Sequence, residues 1–117
     1  MTATTPVVLE VSLGGPERDH DTRVTFLGRR FRIVRRGTSG DVDAACDVVR
    51  EWASRSCAVA VTGIREAQAS GWYAGQAEAA RRRIAAEAGA TPVTEGHQLL
   101  EVLQEWAVRR VDTELPG

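Results

Sequence analysis

A chain of 117 residues, 43% hydrophobic and 26% charged, has the size and composition of one globular domain that can bury a core without metal or disulfide staples. Its net charge of −1 argues against a general polyanion binder, so nucleic acid is not expected as a partner. All 15 basic residues are arginine, which excludes a Schiff-base lysine, a catalytic lysine and a P-loop lysine from this chain.

Residues 1–13, MTATTPVVLEVSL, show no basic leader and only a brief apolar run. Neither a secretory signal nor a membrane span is expected, and a cytoplasmic location is the default. Within this stretch residues 7–13 read as a strand, with Val7, Leu9, Val11 and Leu13 alternating against Val8, Glu10 and Ser12. The loop that follows, SLGGPERDHDT, gathers Arg18 as an anion partner, Asp19 as a carboxylate and His20 as a titratable imidazole, the parts of an anion or acid–base site. The same composition suits a solvated turn held by Asx-type hydrogen bonds. Ser12 belongs to no nucleophile-elbow motif.

Two alternating runs, residues 22–27 and 30–35, flank Gly28-Arg29 and predict a β-hairpin in which glycine supplies the positive φ. Val24 and Phe26 then share a face with Phe31 and Ile33, while Arg23, Arg30, Arg32 and Arg35 fall on or near the wet face. The five arginines within residues 29–36 read as a solvated hairpin face in preference to a phosphate site. RGTSGD then opens a helix, with Thr38, Ser39 or Asp41 as caps, although such a turn also exposes free amides that would suit an anion. Val42, Ala45, Cys46, Val49, Trp52 and Ala53 form the apolar stripe of that helix, and residues 57–61 form a strand buried on both faces. Strand, helix and strand in this order imply a crossover and a parallel pair. Cys46 and Cys57 sit among apolar neighbours and read as free thiols acting as small hydrophobes. With two histidines at no zinc spacing, no metal is expected.

After Gly63 the periodicity blurs. IREAQASGWYAG suits a short helix or an irregular loop, and Trp72 and Tyr73 either close over a pocket or pack on the core. A helix is expected over residues 76–88, ended by Gly89, then a strand over 91–94 and a last helix over 97–111 with Leu99, Val102, Leu103, Trp106 and Ala107 on its stripe. The sum is one α/β domain over residues 1–117, a small three-layer sandwich with a mixed, largely parallel sheet and an N-terminal β-hairpin. Its ligand-competent edge lies at the carboxyl ends of the parallel strands, where residues 38–41, Gly63 and residues 94–97 with His97 meet. No GxGxxG follows a strand, so a self-contained dinucleotide site is not expected. Asp19 or Asp41 with His20 or His97 could form a catalytic pair, and the order along the chain assigns no catalytic residue.

The segments VSLGGPERDHDTRVTFLGRRFRIVRRGTSGD, the apolar strand ending in TGI, and TPVTEGHQLLEVLQEW follow one another in an order that resembles the N-terminal region of bacterial quinate 5-dehydrogenase or shikimate/quinate dehydrogenase-like proteins. The resemblance implies a front domain that precedes a Rossmann-like domain in a longer polypeptide. NAD(P) would then be the cofactor of the full-length protein, with none held by this chain. It implies a substrate-side or regulatory domain, inactive without the nucleotide-binding domain, that takes a small anionic or polyhydroxy ligand. The other domain, or a second copy of the chain, would be its partner. Ser12, Arg18, Asp19, Thr38 and Asp41, with Ser39, His20 and His97, become candidates for a site facing that domain, and Arg18 should meet the 37–41 turn in one cleft. Shikimate dehydrogenases use a lysine–aspartate pair, and a chain without lysine departs from that pattern. The alternative is a stand-alone oligomeric or partner-binding α/β module with Trp72, Tyr73 and the arginine-bearing helices in its interface.

Overall fold

The computed structural model describes residues 5–26 and 28–95. The run VVLEVS forms strand β1 (Val7–Ser12), and every residue of it except Glu10 is buried. The hairpin follows as β2 (His20–Phe26) and β3 (Arg29–Gly37), then α1 (Val42–Trp52), β4 (Ala58–Thr62), α2 (Ile64–Ala69), α3 (Ala74–Ala86) and β5 (Val93–Glu95). The strands make one sheet in the order β2-β3-β1-β4-β5. β3 and β4 both run parallel to β1 and β5 runs parallel to β4, so β2 alone is antiparallel to its neighbour. The small α/β domain with a mixed, largely parallel sheet is therefore the observed fold. Because the α1 crossover joins the two strands that flank β1, the loops leaving β1, β3 and β4 finish side by side at one edge of the sheet.

α1 starts where Asp41 accepts the Ala44 amide at 3.0 Å, an N-cap that satisfies a donor the helix cannot pair internally. Its 3.6-residue stripe buries Ala45, Cys46, Val49 and Trp52 against the sheet, and α3 packs beside it through Ala77, Ala80 and Ile84. The core on this face joins Leu9, Val11, Val34, Val59 and Val61 to those helices, and full burial of each such side chain contributes about 1.5–3 kcal/mol. The opposite face buries Val8 and Phe31, with Val24, Phe26, Ile33 and Cys57 packed against them. The helix expected over 97–111 lies outside the described residues, as does His97.

Two local expectations are corrected, and one open alternative is decided. Phe26 pairs with Arg29 and Gly28 has a φ of 75°, so Arg29, expected in the turn, is already in the strand. Gly28 supplies the positive φ, as expected. Arg35 leaves the wet face, because an odd step from Arg30 and Arg32 reverses the side of the sheet, and its side chain is only 11% exposed. The blurred region resolves into the short helix α2, entered through Gly63. There Trp72 packs on the core, whereas Tyr73 remains 72% exposed. Cys46 and Cys57 are free, and burial pushes the Cys46 thiol above its ordinary range, which keeps it protonated and inert. Among the described residues no helix is long and apolar enough to cross a membrane.

Candidate functional site

The loop between β1 and β2 is clamped on both sides by its backbone. On one side the Leu13 amide donates to Thr62 O at 2.9 Å, and the Gly14 amide to Ser12 Oγ at 3.0 Å. On the other, the Thr38 amide and hydroxyl both donate to Ser12 O, at 2.9 and 2.8 Å, and the Ser39 amide donates to Gly14 O at 2.8 Å. Two glycines permit this approach. A Cβ on Gly63, whose φ is +81°, would stand 2.5 Å from Gly14 N, and one on Gly37 would collide with Gly15 O.

The charged residues complete the clamp. Register places Glu10 opposite Arg35, and Arg35 opposite His20, so three strand residues with ionisable side chains form one row across the sheet. The Arg35 guanidinium lies 3.4 Å from Glu10 Oε2, donates to Asp19 Oδ1 at 2.9 Å and to Gly15 O at 3.1 Å. Asp19 also accepts the Gly37 amide at 2.6 Å, and Glu10 accepts the Thr62 hydroxyl at 2.9 Å. Carboxylates that receive such charge-assisted bonds hold geometry as well as charge. Asp19, a sequence candidate for ligand contact, therefore fastens the loop to β3.

What the clamp presents is a cleft of about 350 Å³ lined by Glu10, Ser12, Arg18, His20, Arg35, Thr62, Gly63 and Glu66. Among the described residues Arg18 is the one cation in it without a carboxylate partner. The His20 Nδ1 lies 3.3 Å from the Thr22 hydroxyl, which orients the imidazole. Cations, carboxylates, hydroxyls and an imidazole around so small a volume can hold one anionic group and several hydroxyls of a small molecule. A second, larger groove of about 660 Å³ adjoins it across the β4–α2 turn, sharing Thr62, Gly63 and Glu66 and continuing between α2 and α3.

Of the sequence candidates, the structure brings Ser12, Arg18 and His20 together. Thr38, Ser39 and Asp41 do not line the cleft, because the 37–41 turn uses its groups on Ser12 O, Gly14 O and the first turn of α1. Arg18 thus lines the cleft with Glu10, Arg35 and Glu66 and without that turn. Glu10, Arg35, Thr62 and Glu66 were not legible as site residues, and the one signal for them was a glutamate interrupting the apolar run of β1. The described residues do not fit a dinucleotide. The Asp41 carboxylate occupies the start of α1, where a pyrophosphate would need free amides, and the β4–α2 turn has a single glycine. They also hold no group of three or more His, Cys, Asp or Glu placed for a metal ion.

Residues 7–95 match a family model described as a domain of unknown function, DUF8753. The chain belongs to this family. The match runs from the first residue of β1 to the last of β5, so the DUF8753 region includes the sheet, both clamping glycines and every residue of the cleft. No curated protein and no solved structure matches the chain.

Proposed function

We propose that this DUF8753 domain is the substrate-side domain of a dehydrogenase-like protein, and that it binds a small anionic, polyhydroxylated ligand in the cleft between β1, β3 and β4. The observation that carries the reading is the convergence of Arg18, unpaired with any described carboxylate, with Glu10, Ser12, His20, Thr62 and Glu66 at the carboxyl edge of a parallel sheet. A carboxylate or phosphate on the ligand would meet Arg18, and hydroxyls would meet the surrounding acceptors and donors. Arg35 holds the arrangement still through Glu10 and Asp19. A nicotinamide cofactor would have to be held by residues other than those described.

The test is a thermal-shift titration with shikimate, quinate and inorganic phosphate. A ligand that prefers the folded state stabilises it by about 2.7 kcal/mol at a hundred times its Kd. A shift with one of these probes, abolished by Arg18→Ala, is the expected result. A shift that survives Arg18→Ala would remove the cleft from the argument, and the absence of any shift would favour the partner-binding alternative, for which the exposed Tyr73 is the specific observation.

A further inference from the structure

The face of the hairpin opposite the cleft carries a different chemistry. Arg23 lies directly across from Arg32, and Arg30 and Arg36 project to the same side of β3 as Arg32. Trp52, at the end of α1, gathers this group. The guanidinium carbons of Arg32, Arg36 and Arg55 lie 5.6, 5.8 and 3.8 Å from its ring centroid. Cation–π attraction to one indole face system favours keeping the charges close together in spite of their mutual repulsion. Two carboxylates oppose the five arginines. Asp21 takes two hydrogen bonds from Arg32 at 2.8 and 2.5 Å, which hold its carboxyl below the usual range, and Glu51 lies 3.7 Å from Arg55. Arg23, Arg30 and Arg36 have no carboxylate partner among the described residues. A chain with a net charge of −1 has thus concentrated cations on one side of its hairpin.

The same side ends in an open strand. β2 is the outer strand of the sheet among the described residues, and His20, Asp21, Thr22, Arg23 and Thr25 are exposed, so no described element pairs with its free edge. An antiparallel ladder leaves the N–H and C=O of every second residue of such a strand directed outward. Arginine on an exposed edge rejects a second basic strand, including a second copy of this one paired Arg23 to Arg23. It admits an acidic strand.

We infer that the β2 edge receives an extended acidic segment of another protein, added as a sixth strand. Pleating sets what that segment must look like. On the arginine side β2 presents Asp21, already bonded to Arg32, then Arg23 and Thr25, so the residues beside Arg23 and Thr25 are acidic, and those between lie beside Thr22, Val24 and Phe26 and are β-branched or apolar. Backbone pairing supplies affinity, and the alternation of acid with apolar residues supplies the selection. Arg81, Arg82 and Arg83 on α3 take no part, since each is paired with an acidic residue, Glu78 or Asp43.

The probes are two peptides of equal length, one alternating glutamate with valine and one alternating lysine with valine, measured by fluorescence anisotropy on the full chain. The expected result is binding of the glutamate peptide alone, weakened by salt, and weakened at least about tenfold in the double variant Arg23→Glu/Arg30→Glu. Both substitutions fall on exposed residues, so the double variant keeps its fold, which circular dichroism checks. It should also gain affinity for the lysine peptide, a reversal that mere loss of structure would not produce. The inference is overturned if the double variant binds the glutamate peptide as well as the native chain does. It is equally overturned if a proline-interrupted peptide of the same charge, or a single-stranded oligonucleotide, binds as tightly, because the patch would then be a general polyanion surface with no role for the strand edge.

Discussion

The two loops that leave neighbouring parallel strands, residues 13–19 after β1 and residues 38–41 after β3, are built from the same residue types and use them differently. Both contain glycine and aspartate, and both stand at the carboxyl edge of the sheet. The 38–41 turn has its polar groups bonded to the backbone around it. Its aspartate caps α1, its threonine binds Ser12 O, and its Ser39 amide reaches Gly14 O. The 13–19 loop is held by others. Backbone clamps and Arg35 fix it from outside, so that its own Arg18 is left facing the cleft. The comparison teaches that a polar loop at a ligand edge is informative only through what its polar groups are already bonded to.

Substitutions that remove one support at a time sharpen this contrast. The largest effect belongs to Gly63→Ala, which forces a Cβ into a left-handed conformation and to 2.5 Å from Gly14 N. A loss of about 3 kcal/mol is expected in urea denaturation, and the ligand-induced thermal shift should vanish with it. A loss below about 1 kcal/mol would show that the Gly14–Gly63 contact does not hold the loop. Next comes Arg35→Met, which keeps the apolar stem but leaves Glu10 and Asp19 without their shared cation and Gly15 O without its donor. About 2 kcal/mol should be lost, and ligand binding should weaken although Arg18, the cleft cation without a described carboxylate partner, is untouched. Smaller again is Asp41→Ala, about 1 kcal/mol for a missing N-cap with the ligand shift unchanged. Arg18→Ala should show the converse, a stability change within about 0.5 kcal/mol and no ligand shift. If Asp41→Ala removed the shift and Arg18→Ala kept it, the division of labour between the two loops would be reversed.

Elements whose signal is local were legible in the sequence. The stripe of α1 follows from a 3.6-residue period, and its start from an aspartate three residues before the amide that it caps. The parallel arrangement followed from strand, helix and strand in succession, and glycine correctly marked the hairpin turn to within one residue. What escaped is set by register. Glu10 and Arg35 are 25 residues apart in sequence and meet only because β1 and β3 pair in one particular alignment. Asp19 and Asp41 look alike as loop aspartates. One bonds to Arg35 and Gly37, 16 and 18 residues away, and the other to an amide three residues away, and only the second kind of partner can be read from neighbouring residues. Arg35 stands an odd number of residues from Arg30 and Arg32, so it lies on the other face of β3, with Phe31 and Ile33.

The contacts that fix the 13–19 loop belong to glycines, main-chain amides and residues outside its tip. Residues 16–18 form a short 3-10 turn with no buried side chain. The frame and the ligand-facing surface are therefore separable. Relatives of this domain could exchange the residue at position 18 for one of different charge or size without disturbing the scaffold, so the tip can diversify toward new small molecules while the glycines on either side stay as they are. A library confined to those three positions would sample recognition alone.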